Sequence, residues 1–363
     1  MAARDENGGV KTFRLVVDKD NLNSASAGEV LNRAASILRA GGLVALPTET
    51  VYGLGANALD KDAVGRIFEA KRRPSWDPVI VHVASWQMLE GLVEQVPKAA
   101  RELMAAFWPG PLTLLLQRTA AVPDVVTAGR PLVGVRMPAH PVALQVIGRA
   151  GVPVAAPSAN LFGHISPTTA QHVLDDLDGR IDAVVDAGPT PHGVESTVLD
   201  PSTSPMVIYR PGAVTAEQIC AVAGRVELFP TGPELLETPV EALPSPGVGL
   251  RHYAPKARLV LVDGPLNSLD HRLAEAARMW PGERVGMLLP NELAGAGVEG
   301  ARVYAWGRWD APEEMAHELY AGLRALDAAG CTVIVCAAPP EHGIGTAIRD
   351  RLRKAAHVIG EAL

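Results

Sequence analysis

The sequence predicts an α/β protein of two domains joined by a proline-rich linker. Three observations carry that prediction. Short apolar runs of strand length alternate with helical periodicities along the chain. The length, 363 residues, exceeds what a single core usually serves. Prolines 230, 233, 239, 244, 246 and 255 crowd one stretch, and a fresh alternation of strands and helices begins after it. The expected boundaries are a first domain over 1–225, a linker over 226–256 and a second domain over 257–363.

The elements of the first domain follow in order. Ser26-Ala27-Gly28-Glu29 has the form of a capping box. Val30, Ala34 and Ile37 follow at helical spacing, and Gly41-Gly42 closes the helix. Leu43 to Leu46 reads as a short buried strand. Asp60 is placed to cap a second helix with Val64, Ile67 and Phe68 on its apolar face, stopped by Pro74. Val79 to Val83 reads as a strand, and Pro97 opens a helix that breaks at Pro109-Gly110-Pro111. Further strands are expected at Leu112–Leu116, Leu132–Met137, Val152–Ala156, Ile181–Asp186, Thr197–Leu199 and Met206–Arg210, with helices near 141–149 and 168–177. Thr215-Ala216-Glu217-Gln218 is a second capping box. In the second domain, strands are expected from Arg258 to Asp263 and near 284–289, 302–306 and 332–337. Met315, Leu319, Leu323 and Leu326 make one helical stripe, and Ile344, Ile348 and Leu352 another. This pattern predicts a small parallel sheet flanked by helices, Rossmann-like in outline.

Composition narrows the function. The formal charge of −7 disfavours a protein that clamps nucleic acid over a long footprint. Three cysteines, none in a CxxC pair, supply neither a disulfide framework nor a zinc module. The start, MAARDENGGVK, lacks the apolar region of a secretion signal, and no run of about 18 apolar residues is present. The expectation is a cytoplasmic protein with no membrane contact. Gly and Pro number 35 and 30, which suits a chain rich in turns and backbone-lined sites.

Four clusters carry candidate chemistry. Pro47-Thr48-Glu49-Thr50-Val51-Tyr52-Gly53-Leu54-Gly55 follows a strand, where α/β sheets commonly place ligands; its alternative is a polar turn. Lys71-Arg72-Arg73-Pro74 offers two cations that can converge on a polyanion, or else a solvated face. Pro157-Ser158-Ala159-Asn160, with Ser166-Pro167-Thr168-Thr169 after it, offers small hydroxyls and an amide, or else a turn and a helix cap. Glu195-Ser196-Thr197-Val198 precedes Tyr209-Arg210-Pro211-Gly212, where Arg210 is a candidate anion ligand. Arg136 lies inside an apolar strand and requires an anion, either a structural carboxylate or that of a substrate. No metal spacing such as HExxH appears, and there is no GxxxxGK[ST] phosphate loop. Gly343-Ile344-Gly345 lacks the third glycine of a dinucleotide fingerprint.

Taken in order, PTETVYGLG, KxRP, HVAS, WPGPLT, VGVRMP, PSAN, SPTTA, ESTV, RPG and the linker's Ser245-Pro246-Gly247 to His252-Tyr253-Ala254-Pro255 resemble the threonylcarbamoyl-AMP synthases in their long, two-domain form. That resemblance implies a twisted open mixed sheet (YrdC-like) with a concave, basic face. It implies an enzyme that joins L-threonine, bicarbonate and ATP to give threonylcarbamoyl-AMP and pyrophosphate. Mg2+ is expected mainly through the ATP phosphates, with no assigned protein ligands. The product is expected to pass to the tRNA threonylcarbamoyl-transferase machinery, with tRNA contact weak or indirect. Carried over by motif, the catalytic set is Lys71, Arg73, Ser158 and Asn160. ATP positions add Asp77, Ser166, Arg210 and Tyr253, the last reaching back from the linker as part of a lid. Threonine positions are Thr50, His82, Arg136 and Ser196. The sequence departs from the family pattern twice. Arg72 stands where the family usually has glycine, and Asp77 where it usually has asparagine beside the proline. A non-catalytic RNA-binding module is the alternative class. A carbamoyl transferase of hydrogenase maturation is disfavoured by the unpaired cysteines.

Overall fold

A computed structural model of the chain describes residues 11–230, 245 and 253–356. Most of the expected linker lies outside the described residues. Chain contacts divide the molecule into two units. The second gathers Gly163–Ile165, His192–Val194 and the described residues from Tyr253 onward.

The first unit is built on one mixed sheet. Its strands are β1 (Phe13–Val16), β2 (Val44–Leu46), β3 (Gly53–Asn57), β4 (Val81–His82), β5 (Leu112–Gln117), β6 (Leu132–Arg136), β7 (Val154–Ala155), β8 (Ala183–Asp186), β9 (Thr197–Asp200), β10 (Met206–Arg210) and β11 (Val226–Leu228). Their order in space is β1-β8-β2-β3-β7-β4-β6-β5-β9-β10-β11. Parallel and antiparallel neighbours mix: β4 runs parallel to β6, which runs antiparallel to β5, which runs parallel to β9.

Alternation along the strands sends side chains to two cores. Val44 and Leu46 join Leu31, Ala34 and Leu38 of α1 (Ala25–Arg39) and Val142 and Val146 of α6 (Pro141–Ala150) on one side. Ala45 and Leu54 join Val64 and Ile67 of α2 (Lys61–Lys71), Leu103 of α4 (Lys98–Phe107) and Val173 of α7 (Ala170–Leu177) on the other. Short helices α3 (Trp86–Glu90) and α5 (Asp124–Thr127) fill the connections. The caps follow local chemistry. Asp60 accepts from the backbone N–H groups of Asp62 and Ala63 at the start of α2. Thr215 and Gln218 close a reciprocal capping box on α8 (Ala216–Ala223). The α1 cap differs from the sequence reading. Ser24, not Ser26, accepts from Ala27 N–H, because the helix begins one turn ahead of its first apolar residue. β11 corrects the linker boundary, since residues 226–228 pair with β10 and extend the first unit's sheet.

The second unit carries β12 (Arg258–Val262), β13 (Val285–Leu289), β14 (Arg302–Ala305) and β15 (Val333–Ala337) in the order β12-β15-β13-β14, all parallel. Leu269 and Leu273 of α9 (Leu266–Arg278) pack on Met287, Val335 and Ala337. α10 (Pro312–Ala328) and α11 (Ile344–Ala355) pack against each other. Among the described residues no helix is long and apolar enough to cross a membrane.

Candidate active site

The cationic motif is shaped by how α2 ends. Arg72 N–H donates to Glu69 O and Arg73 N–H to Phe68 O, which is a Schellman turn with Arg72 at its left-handed position, φ 53°. The turn sorts the three cations. Lys71 and Arg73 point inward and are 1% and 8% exposed, while Arg72 faces solvent. A left-handed cap favours glycine, the residue the family usually has here, so Arg72 carries a backbone cost that glycine would not.

Lys71 Nζ donates to Ser158 O and Asn160 O, each at 2.5 Å. The PSAN segment therefore uses its backbone to hold the lysine. Burial, with Arg73 nearby, holds the Lys71 ammonium well below its ordinary pKa. An ammonium has three N–H groups, so two carbonyls leave one for a ligand. The Asn160 amide donates to Leu161 O at 2.8 Å. Arg73 donates to Asp77 O and Pro78 O, and its Nη2 lies 2.9 Å from Asp77 Oδ1. Asp77 is fully buried. Its charge is thus balanced within the chain by Arg73, which accounts for a carboxylate at this second departure from the family pattern.

A second group forms where β4, β6 and the loop after β2 meet. His82 stands opposite Arg136 in the β4–β6 register. Arg136 donates to Gly110 O and Thr50 Oγ1, each at 3.1 Å, and its Nη2 lies 2.7 Å from Glu49 Oε1. Burial pushes the Glu49 carboxyl up, but the charge of Arg136 outweighs it and holds Glu49 below its usual range. Burial, then the Arg136 charge, hold the His82 imidazole down to about 3, so it is neutral at neutral pH.

A third group lies where β5 and β9 begin and β10 ends. Arg210 donates to Ser196 O through Nε and Nη2, and to Ser196 Oγ at 3.1 Å. Ser196 Oγ is 2.9 Å from Thr113 Oγ1. Ser166 Oγ donates to Glu195 Oε1 at 2.6 Å.

Backbone bonds join these groups. Tyr52 N–H donates to Pro167 O, and Tyr52 O accepts from Ala159 N–H. One residue of the PTETVYGLG loop thereby ties the PSAN and SPTTA loops to itself, while Thr50 of the same loop reaches Arg136. Tyr253 belongs to the second unit. It is 5% exposed within the second unit, its ring stacks on Tyr320 at 5.9 Å, and Arg351 sits 5.1 Å over it. The lid segment before it lies outside the described residues. Glu49, Thr113 and Glu195 are site residues that the sequence motifs contain without announcing a role. Their partners, Arg136, Ser196 and Ser166, are distant in the sequence, so only the topology reveals them. Among the described residues, no group of three or more His, Cys, Asp or Glu is placed to hold a metal.

Comparison with known proteins bears on the chain as a whole. The profile of a family described as "Telomere recombination" matches residues 36–212. That of "Threonylcarbamoyl-AMP synthase, C-terminal domain" matches 214–357. The threonylcarbamoyl-AMP synthase of Bacillus subtilis is 45% identical over 96% of this chain and 98% of its own. That of Pyrococcus abyssi is 44% identical over 89% and 92%. The crystal structure of Pyrococcus abyssi Sua5 complexed with L-threonine superposes with a TM-score of 0.84 at 40% identity, covering 95% of this chain and 97% of that one. By sequence over nearly its whole length and by fold, the chain belongs to the threonylcarbamoyl-AMP synthase family.

Proposed function

We propose that this chain condenses L-threonine, bicarbonate and ATP to threonylcarbamoyl-AMP and pyrophosphate. The observation that carries the reading is the set of buried cations: Lys71 at the end of a helix, Arg73 in the loop after it, and Arg136 and Arg210 at strand ends of one sheet. Buried cations beside hydroxyls suit small anions rather than a long polyanion.

The reaction has two steps. The threonine amine and bicarbonate give a carbamate and water. A carbamate oxygen then attacks the α-phosphorus of ATP, and pyrophosphate leaves. No protein nucleophile is needed; the site must position anions and stabilise charge. Lys71 meets a phosphate oxygen with its remaining N–H, and Arg73 adds a forked donor. Ser158, Asn160, Ser166 and Arg210 line the nucleotide. Arg136 takes the threonine carboxylate, with Thr50, His82 and Ser196 around it. The neutral His82 accepts or donates a hydrogen bond without adding a second cation beside Arg136. Mg2+ accompanies ATP, held mainly through its phosphates.

The product serves threonylcarbamoylation of tRNA through a separate transferase in the cytoplasm, with little direct tRNA contact. The second unit holds Tyr253, at the end of the expected linker, against Tyr320 and Arg351.

Omission tests decide the reading. Pyrophosphate release is expected to require ATP, L-threonine and bicarbonate together. Release at an equal rate without threonine or without bicarbonate overturns it. Tight, steeply salt-dependent RNA binding with no turnover would favour the RNA-binding alternative.

A further inference from the structure

The Glu49–Arg136 pair carries an inference that deepens the proposed reaction and rests on Arg136 as the partner of the threonine carboxylate. A buried guanidinium requires an anion. The chain supplies one itself: Glu49, 5% exposed, with Oε1 2.7 Å from Arg136 Nη2. The guanidinium is gripped at two further points, Nε by Gly110 O and Nη1 by Thr50 Oγ1. Three contacts on three different nitrogens fix both the plane and the rotation of the group. A guanidinium has five N–H donors; Gly110 and Thr50 take two as hydrogen bonds, Nη2 meets Glu49 as an ion pair without a hydrogen bond, and the other N–H groups are left for a ligand.

We propose that Glu49 is a positioning residue for threonine. Its carboxylate holds the Arg136 guanidinium so that the N–H groups not bonded to Gly110 or Thr50 meet the substrate carboxylate. Without Glu49 the buried Arg136 charge lacks this anion, and the guanidinium is drawn toward other acceptors. Glu49 is ionised throughout the working range, since Arg136 holds its carboxyl below the usual value against the effect of burial. The neutral His82 opposite Arg136 does not compete for the guanidinium as an anion.

The test is steady-state pyrophosphate release by the full chain and its variants, with each substrate varied in turn. Glu49→Gln keeps the shape and removes the charge. The expected result is a KM for L-threonine raised ~10-fold or more, with kcat and the KM for ATP within ~3-fold of wild type. Glu49→Ala is expected to show the same defect, and added acetate is expected to restore much of the threonine KM by occupying the vacated carboxylate position. A merely structural pair would lower the melting temperature without separating the two KM values, and acetate would have no effect; that outcome overturns the proposal. Should Glu49→Gln not fold, Glu49→Asp retains the charge one methylene short and is expected to give an intermediate threonine KM; an unchanged KM overturns the proposal. A wild-type chain that turns over beside a Glu49→Gln variant of unchanged threonine KM overturns this inference alone. A wild-type chain with no threonine-dependent release overturns the functional reading, and this inference with it.

Discussion

Replacing Lys71 by methionine keeps the reach of the side chain and removes its charge and its donors. The structure sets two separate consequences. Ser158 O and Asn160 O each lose a donor at 2.5 Å. A buried acceptor left without a partner costs ~1–3 kcal/mol, but removing a buried ammonium also removes its desolvation cost. These terms oppose each other, so the expected net loss of stability is only about 1–3 kcal/mol. The catalytic consequence has no such offset. The third N–H of Lys71 is assigned to a phosphate oxygen whose charge grows as pyrophosphate departs, and losing one donor of that kind costs roughly 10²–10³ in kcat. The assay pairs thermal melting with pyrophosphate release at saturating substrates. The expected variant is folded, melts slightly lower and has lost more than ~99% of its turnover. A Lys71→Met protein that keeps turnover within ~3-fold of wild type would show that the lysine only braces the PSAN loop, and would refute the assignment.

Other expectations follow from the same geometry. Arg72→Gly relieves a left-handed backbone position, φ 53°; relief of ~1–2 kcal/mol less the added freedom of glycine when unfolded should stabilise the chain by ~0.5–1 kcal/mol, measured by denaturant melts with unchanged activity. A loss of stability would mean that the Arg72 side chain makes an unrecognised contact. Asp77→Asn removes the partner charge of Arg73; the melting temperature should fall while the KM for ATP decreases, because Arg73 is no longer neutralised locally. An unchanged KM would place Arg73 away from the phosphates. His82 titrates near 3 when folded and near 6.5 when unfolded. The unfolded chain therefore binds the extra proton between those values, so stability rises with pH through that window and is lost as pH falls from 6.5 toward 3. The full effect is on the order of 5 kcal/mol, and His82→Asn should flatten that acid limb; an unchanged limb would mean that His82 is protonated in the folded state.

Much of the fold is legible in the sequence because caps and apolar periodicity are local signals. Asp60, Thr169 and Thr215 cap helices as their positions suggest. The misses have non-local causes. β3 reads Gly53-Leu54-Gly55-Ala56-Asn57, a poor strand by propensity. It is a strand because neighbours lie so close that a Cβ at Gly55 would stand 2.9 Å from Val154 Cγ1 and 3.1 Å from Val44 O. β1 and β11 are short and lie at the sheet's edges, and β11 falls within a proline-rich stretch. At the site, the cations and hydroxyls are visible as residue types in motifs. Which of them pair is not, because Glu49 and Arg136 are 87 positions apart and meet only through the sheet order. The sequence left open whether Arg136 has a structural carboxylate or a substrate as its partner. The structure supplies Glu49, and the further inference gives that carboxylate a part in binding the substrate.

The central claim is that threonine, bicarbonate and ATP meet at these loops and leave as one adenylate. Following carbon from radiolabelled bicarbonate tests it most directly. With ATP and L-threonine present, label should appear in a nucleotide product that also carries label from threonine, in step with pyrophosphate release. It should be lost in Lys71→Met. Pyrophosphate released while the label stays in bicarbonate, or label found in threonine carbamate but never in the nucleotide, would contradict the account.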